Sequence, residues 1–267
     1  MKATTGQILG KAHKLCEWLR EEDTPIYPGR VSTVPLSWGV ERATKWYVGD
    51  VDDLPSGLDR SVIDSIPVRL PCKQMLIEAE CFMRMADDRE EPMTAFALCY
   101  DREGGEIDVF LFGHGVGRFW FSGGGRICIE PNGTRGWRHY GQNGKPAPGG
   151  RDVGNGMAMI ERTLVALTCT NVRSVDNAPP SALNKKRQKA GKPPLFTYKT
   201  LHILSGERGA SHDQKDDDAE AKRSPRLHFR RGHVRRIGDG RITWVQQCMV
   251  GNRRLGVVEK AYALEAR

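Results

Sequence analysis

Gln74 to Pro131 reads QMLIEAECFMRMADDREEPMTAFALCYDREGGEIDVFLFGHGVGRFWFSGGGRICIEP. Five short apolar-rich runs stand in it one after another: MLIEAECF (75–82), TAFALCY (94–100), EIDVFLF (106–112), GRFWF (117–121) and RICIE (126–130). Asp87-Asp88, Glu103-Gly104-Gly105, Gly113 to Gly115 and Gly123 to Gly125 separate them. Short strands with short connections predict an antiparallel meander. The two glycine-rich stretches, GHGVG (113–117) and SGGGR (122–126), are expected to be hairpin turns. Neither matches the phosphate-binding pattern GxxxxGK[ST]. His114, in the first of them, is expected at the surface. Glu78 and Glu80 share one face of the first strand. They would form a carboxylate pair or, more simply, mark a solvated face.

Outward from this block the chain changes texture. Residues 131–152 are rich in Gly, Pro and Asn and predict a linker. Upstream, Thr4 to Glu22 carries Ile8, Ala12, Leu15, Cys16 and Leu19 at helical spacing, with Thr4 and Gln7 as a capping box. Six prolines between 24 and 71 interrupt any long element, and a short helix is expected near Gly39 to Tyr47. Downstream, Asn155 to Asn171 predicts a second amphipathic helix, with Met157, Ile160, Leu164 and Leu167 as its stripe. Ser181 to Ala190 predicts a short basic helix, and LFTYKTLHIL (195–204) a strand. Gly206 to Ser224 is polar and without apolar periodicity, which predicts a mobile excursion. Arg226 to Arg236 and Arg241 to Gln247 predict a hairpin turning at Gly238-Asp239-Gly240. The expected class is α+β. Residues 1–150 would hold an antiparallel sheet with packed helices, and residues 151–267 a smaller basic helix-plus-sheet part.

The composition narrows the function. Apolar residues make up 39% of 267, enough for a sizeable core. No run approaches the 18 or so apolar residues of a membrane-crossing helix. The start, MKATTGQILGKAHKLCEWLREED, lacks a signal-peptide pattern, so a cytoplasmic protein is expected. Seven scattered cysteines without a CxxC pair predict buried free thiols rather than disulfides or zinc, and no metal or other cofactor is implied. Charge is the informative quantity. Ser181 to Arg267 holds 20 Lys+Arg against 9 Asp+Glu, a balance of +11, within a whole-chain excess of +8. Clustered cation of this kind is the footprint of a polyanion binder, most commonly of nucleic acid.

The cation centres on HFRRGHVRR (228–236). Arg230, Arg231, Arg235 and Arg236 would grip phosphates. His228 or His233 would serve as general acid or base if the site is catalytic, because imidazole titrates near cellular pH. The competing reading is a charged edge strand that keeps the protein soluble. Gly232 predicts a bulge. Lys185, Lys186, Arg187 and Lys189 on the basic helix would extend one cationic surface, or simply be solvated. Trp244 and Phe229 would stack on bases or support the arginines.

Two blocks, PPSALNKKRQKAGKPPLFTYKTLHI (179–203) and RLHFRRGHVRRIGDGRITWVQQCMVG (226–251), resemble a family of phage and prophage proteins. That family shares its Arg/His-rich C-terminal box with a type V anti-CRISPR protein, which blocks production of an effector nuclease by recognising the nascent chain and promoting loss of its mRNA. The resemblance implies a phage-encoded, anti-defence-like protein acting on RNA or translation, with RNA, the ribosome, a host protein or a nascent chain as partner. It places that role on His228, Arg230, Arg231, Gly232, His233, Arg235, Arg236 and Trp244. Two other functions fit the same residues: a metal-independent ribonuclease, and a module that docks on an acidic protein surface.

Overall fold

The computed structural model describes residues 11–22, 35–51, 54, 69–84, 88–102, 105–129, 135–139, 150–204, 226–230, 233–237, 241–245, 248–250 and 252–257. Thr4, Arg231, Gly232, the 206–224 segment and the Gly238 to Gly240 turn lie outside them.

The meander forms as expected. Strands β2 (Gln74–Arg84), β3 (Glu90–Asp101), β4 (Ile107–Gly115), β5 (Arg118–Ile129) and β6 (Arg135–His139) follow one another as antiparallel neighbours. The sheet then continues past β2. Strand β1 (Thr44–Asp50) lies parallel to β2, and β8 (Tyr198–Ile203) lies parallel to β1 on its other side. Strand β7 (Val172–Asn177) closes this edge, antiparallel to β8. Eight strands thus run in the order β6-β5-β4-β3-β2-β1-β8-β7. The boundary expected at residue 150 therefore divides the chain but not the sheet, to which both stretches contribute strands.

Both faces of the sheet are covered. On the first, Leu76, Phe96, Leu98, Phe110 and Phe112 meet helix α1 (Lys11–Glu21) and helix α2 (Leu36–Arg42). Ala12, Leu15, Cys16 and Leu19 of α1 point into this layer, at the spacing that one face of a helix requires. On the second face, Met75, Ile77, Ala97, Val109 and Leu111 meet Met159, Ile160, Leu164 and Val165 of helix α3 (Gly150–Thr168). Each fully buried aliphatic or aromatic side chain contributes roughly 1.5–3 kcal/mol by leaving water. Coverage on both sides explains why the central strands read as continuous apolar runs rather than alternating ones.

Three expectations need correction. Gly123 to Gly125 do not turn the chain, because β5 runs straight through them. Their lack of side chains serves close approach instead: a Cβ on Gly125 would stand 2.6 Å from the Trp137 ring, and one on Gly113 would stand 2.3 Å from the Trp120 ring. Register slips beside them, where Leu111 faces Gly123 but Phe112 faces Phe121, leaving Ser122 as the extra residue of a bulge. Second, the helix expected at Gly39 to Tyr47 ends at Arg42, and Lys45, Trp46 and Tyr47 belong to β1. Third, the linker expected at 131–152 contains β6 and the start of α3. The turn after β4 is Val116-Gly117, with φ of 50° and 76°. Both values are positive, as a two-residue type I′ hairpin demands.

The C-terminal hairpin is β10 (His233–Ile237) with β11 (Arg241–Val245), and it packs on the second face through Ile242 and Trp244. Strand β9 (Arg226–Arg230) pairs instead with β12 (Cys248–Val250) and β13 (Asn252–Val257). Among the described residues no helix is long and apolar enough to cross a membrane.

Val116 is β-branched, exposed and left-handed, a conformation that costs an L-residue about 1–2 kcal/mol. Val116→Asn creates the Asn-Gly pair that type I′ turns prefer. It should raise the urea midpoint, by about 1 kcal/mol in stability. A lowered midpoint would show that the turn is not type I′.

Candidate functional site

Hairpin β10–β11 is held by two side chains, Asn171 and Thr170, the latter donating through Oγ1 to the Ile242 carbonyl at 3.2 Å. Asn171 donates through Nδ2 to the carbonyl of Trp244 at 2.7 Å and accepts the Trp244 amide at 2.8 Å. The Thr170 amide donates to the Ile242 carbonyl beside it. The hairpin therefore sits where α3 ends and β7 begins. Cross-strand register decides which way its side chains face, because directly opposed residues share a side. Val234 opposite Trp244 and Arg236 opposite Ile242 take the inner side. His233 opposite Val245, Arg235 opposite Thr243, and Ile237 opposite Arg241 take the outer one.

The expected residues therefore separate. Arg235 is exposed on the outer face, where half-buried His233 joins it. Arg236 is exposed but belongs to the inner side, near the turn. Arg241, not singled out from the sequence, adds a cation to the outer face, opposite Ile237. Trp244 is not a stacking platform. It is 8% exposed and packs in the core against α3, so its ring faces are closed to a base. Arg230 and His228 lie on β9, opposite Cys248 and Val250. The two histidines thus occupy strands of different sheets, and Arg231 falls outside the described residues.

The basic helix α4 (Ser181–Lys189) buries none of its residues. Asn184 tethers it by bonding both the amide and the carbonyl of Leu195, at 2.7 and 3.3 Å. Arg187 is spent the same way, donating to the Pro193 carbonyl at 2.9 Å. Lys185, Lys186 and Lys189 remain exposed. Leu195 and Phe196, just beyond, pack on the first face beside α1. The hairpin packs on the second face. The two basic elements also attach at opposite ends of β7, a strand about 20 Å long at roughly 3.3 Å per residue. Among the described residues, the cations of α4 and of the hairpin fall in two patches rather than the one continuous surface expected.

Below α1 the structure places a buried polar cluster. Glu78 is fully buried, so its face is packed rather than solvated as expected, and the Glu80 carboxylate two residues on adds to the rise in its proton affinity. Glu80 reaches the rim and meets Lys11 at 3.2 Å. The Tyr198 hydroxyl donates to Glu78 Oε2 at 2.6 Å and accepts the Ala12 amide at 3.2 Å. Burial pushes the Glu78 carboxyl up to about 8, against the opposing pull of Tyr198 and Lys11. Nearby, burial pushes the Lys45 ammonium down to about 8. Its Nζ donates to the Glu41 carbonyl and lies 4.0 Å from the centre of the Phe196 ring. Cys16 points at the Ser37 carbonyl and the Glu41 carboxylate, and desolvation raises its thiol. His114 is not a turn residue at the surface: it is part-buried on β4 against Phe119, which lowers its pKa. These groups hold layers together, since each is closed off by α1, α2 or β8. Among the described residues, no three His, Cys, Asp or Glu side chains gather in a metal-holding group.

No family model, curated protein or solved structure matches this chain.

Glu78 carries a pH prediction. Its folded value of about 8 stands above the ordinary 4.5, so the folded state holds the proton more tightly. Stability from this group is complete below pH 4.5 and is lost as pH rises towards 8. The loss approaches about 1.4 kcal/mol per pH unit inside that window. Glu78→Gln should flatten it, as measured by urea midpoints at several pH values. Parallel pH profiles for the two proteins would show that Glu78 is ionised in the fold.

Proposed function

We propose that the chain is a phage- or prophage-encoded regulator that works in the host cytoplasm by associating with RNA or the ribosome. The observation that carries this reading is the +11 balance after Ser181, set against a balance of −3 before it. The architecture supports it in one respect: the hairpin is fastened to the core through Trp244 and Asn171, so its outer face, with Arg235, His233 and Arg241, is presented rigidly. Lys185, Lys186 and Lys189 on α4 form a second, separate contact. Two separate patches suit an extended polyanion better than a compact anionic ligand, since a nucleic-acid strand carries a phosphate every few ångströms. The resemblance of the C-terminal blocks to phage proteins agrees with this reading and adds the anti-defence role as its biological setting.

Binding should be read by fluorescence anisotropy of labelled single-stranded RNA at several salt concentrations. Engagement of about five phosphates gives a log–log slope near −3.5. Arg235→Gln with Arg241→Gln should weaken binding and reduce that slope by about 1.4. Lys185→Gln, Lys186→Gln and Lys189→Gln together should cost a further, additive amount, because the patches do not touch. Salt-independent binding, or none, would overturn the proposal.

A further inference from the structure

We propose that the chain forms a two-fold dimer by pairing β7 antiparallel with β7 of a second copy, the axis passing through Val175. Among the described residues β7 is bonded on one side only, to β8. It carries no proline, no lysine and no break in its six-residue register, and its two charged residues, Arg173 and Asp176, are of opposite sign. The other edge, β6, carries Arg135, Arg138 and His139 in five residues, and self-pairing about its centre would oppose Arg135 to His139.

The open hydrogen-bonding groups of β7 can be assigned. The Leu204 amide donates to the Asn171 carbonyl at 2.7 Å, so Asn171 and Leu204 form a hydrogen-bonded pair. Such pairs alternate along an antiparallel ladder. Arg173, Val175 and Asn177 therefore turn their amides and carbonyls to β8. Ser174 and Asp176 turn theirs to the open edge, while the Val172 amide is already taken by the Cys169 carbonyl at 3.1 Å. A two-fold axis between antiparallel strands must pass through the centre of a residue pair, which leaves two central registers. An axis through Ser174 sets Arg173 against Val175 and Val172 against Asp176, opposing charge to hydrocarbon. An axis through Val175 sets Arg173 against Asn177 and Ser174 against Asp176, and brings the two valines together. Val175 is 41% exposed, and the pair would be of the non-hydrogen-bonded kind, in which side chains come closest. The Ser174 hydroxyl of one copy would donate to Asp176 of the other. The start of β7, which carries the hairpin, would then lie beside the end of the other β7, which leads into α4.

The test is the mass of the full chain in solution, by size exclusion with light scattering after nuclease treatment. Wild type should be a dimer at micromolar concentration. Val175→Lys alone and Val175→Glu alone should each be monomers, because like charges would meet across the axis. Their equimolar mixture should dimerise again through a Lys–Glu pair. A monomeric wild type, a dimeric Val175→Lys protein, or a mixture that stays monomeric would each overturn the proposal. The measurement contains no RNA, so its outcome is separate from that of the binding experiment.

Discussion

One hydrogen-bonded knot joins the distant parts of this chain. Tyr198 comes from beyond the Gly/Pro-rich segment, Glu78 from the second strand of the sheet, and Ala12 from the first described helix, yet all three meet within hydrogen-bond distance. A carboxyl group cannot be buried at low cost unless it is neutral or well bonded. Glu78 Oε2 takes the tyrosine proton as a bond, while Oε1 has no hydrogen-bond partner. That state is tolerable for a protonated acid and expensive for a carboxylate. β8 supplies the tyrosine that bonds Glu78, and α1 supplies the amide that bonds the tyrosine, so both elements meet at this group. The pairing of β8 on β1, which makes a single sheet of two stretches of chain, brings Tyr198 to this contact.

The meander and α1 were legible because their signals are local. Apolar runs bounded by Asp and Gly predict strands, and Leu15, Cys16 and Leu19 recur at a helical period. β1 was not legible. Thr44 to Val48 is only a five-residue β-prone run, it follows a helix with Ala43 alone between them, and proline-rich sequence surrounds it. Its place at the middle of the sheet depends on partners 30 and 150 residues away, which no window reveals. The glycines of β5 misled for a different reason. A turn and a strand beneath an indole both need a residue without a side chain, and the Trp137 ring over Gly125 is the difference.

The candidate site was legible as chemistry and less so as geometry. The expected hairpin was right for His233–Ile237 with Arg241–Val245 but not for Arg226–Arg230, which pairs with β12 and β13. What composition could not show is which aromatic residue is used for packing. Trp244 occupies the core because its strand alternates Ile242 and Trp244 inward, and Asn171 takes up both of its backbone groups. Nor could it show that α4 and the hairpin sit on different faces, because that follows from how β7 and β8 join the sheet. The cationic character of the C-terminal stretch is thus distributed by topology. One patch is fastened to the α3 layer and the other is tethered to the α1 layer, with β7 running between them.

The organising idea is that residues on either side of position 150 form one cooperative sheet. Native-state hydrogen exchange on the full chain tests it most directly. Amides of β8 should open with the same free energy as those of β2 and β3, and Tyr198→Phe should lower all three together. If β7 and β8 exchange at a distinctly lower free energy, and Tyr198→Phe leaves β2 and β3 untouched, the C-terminal stretch is a separate folding unit and a single sheet built through β1 is contradicted.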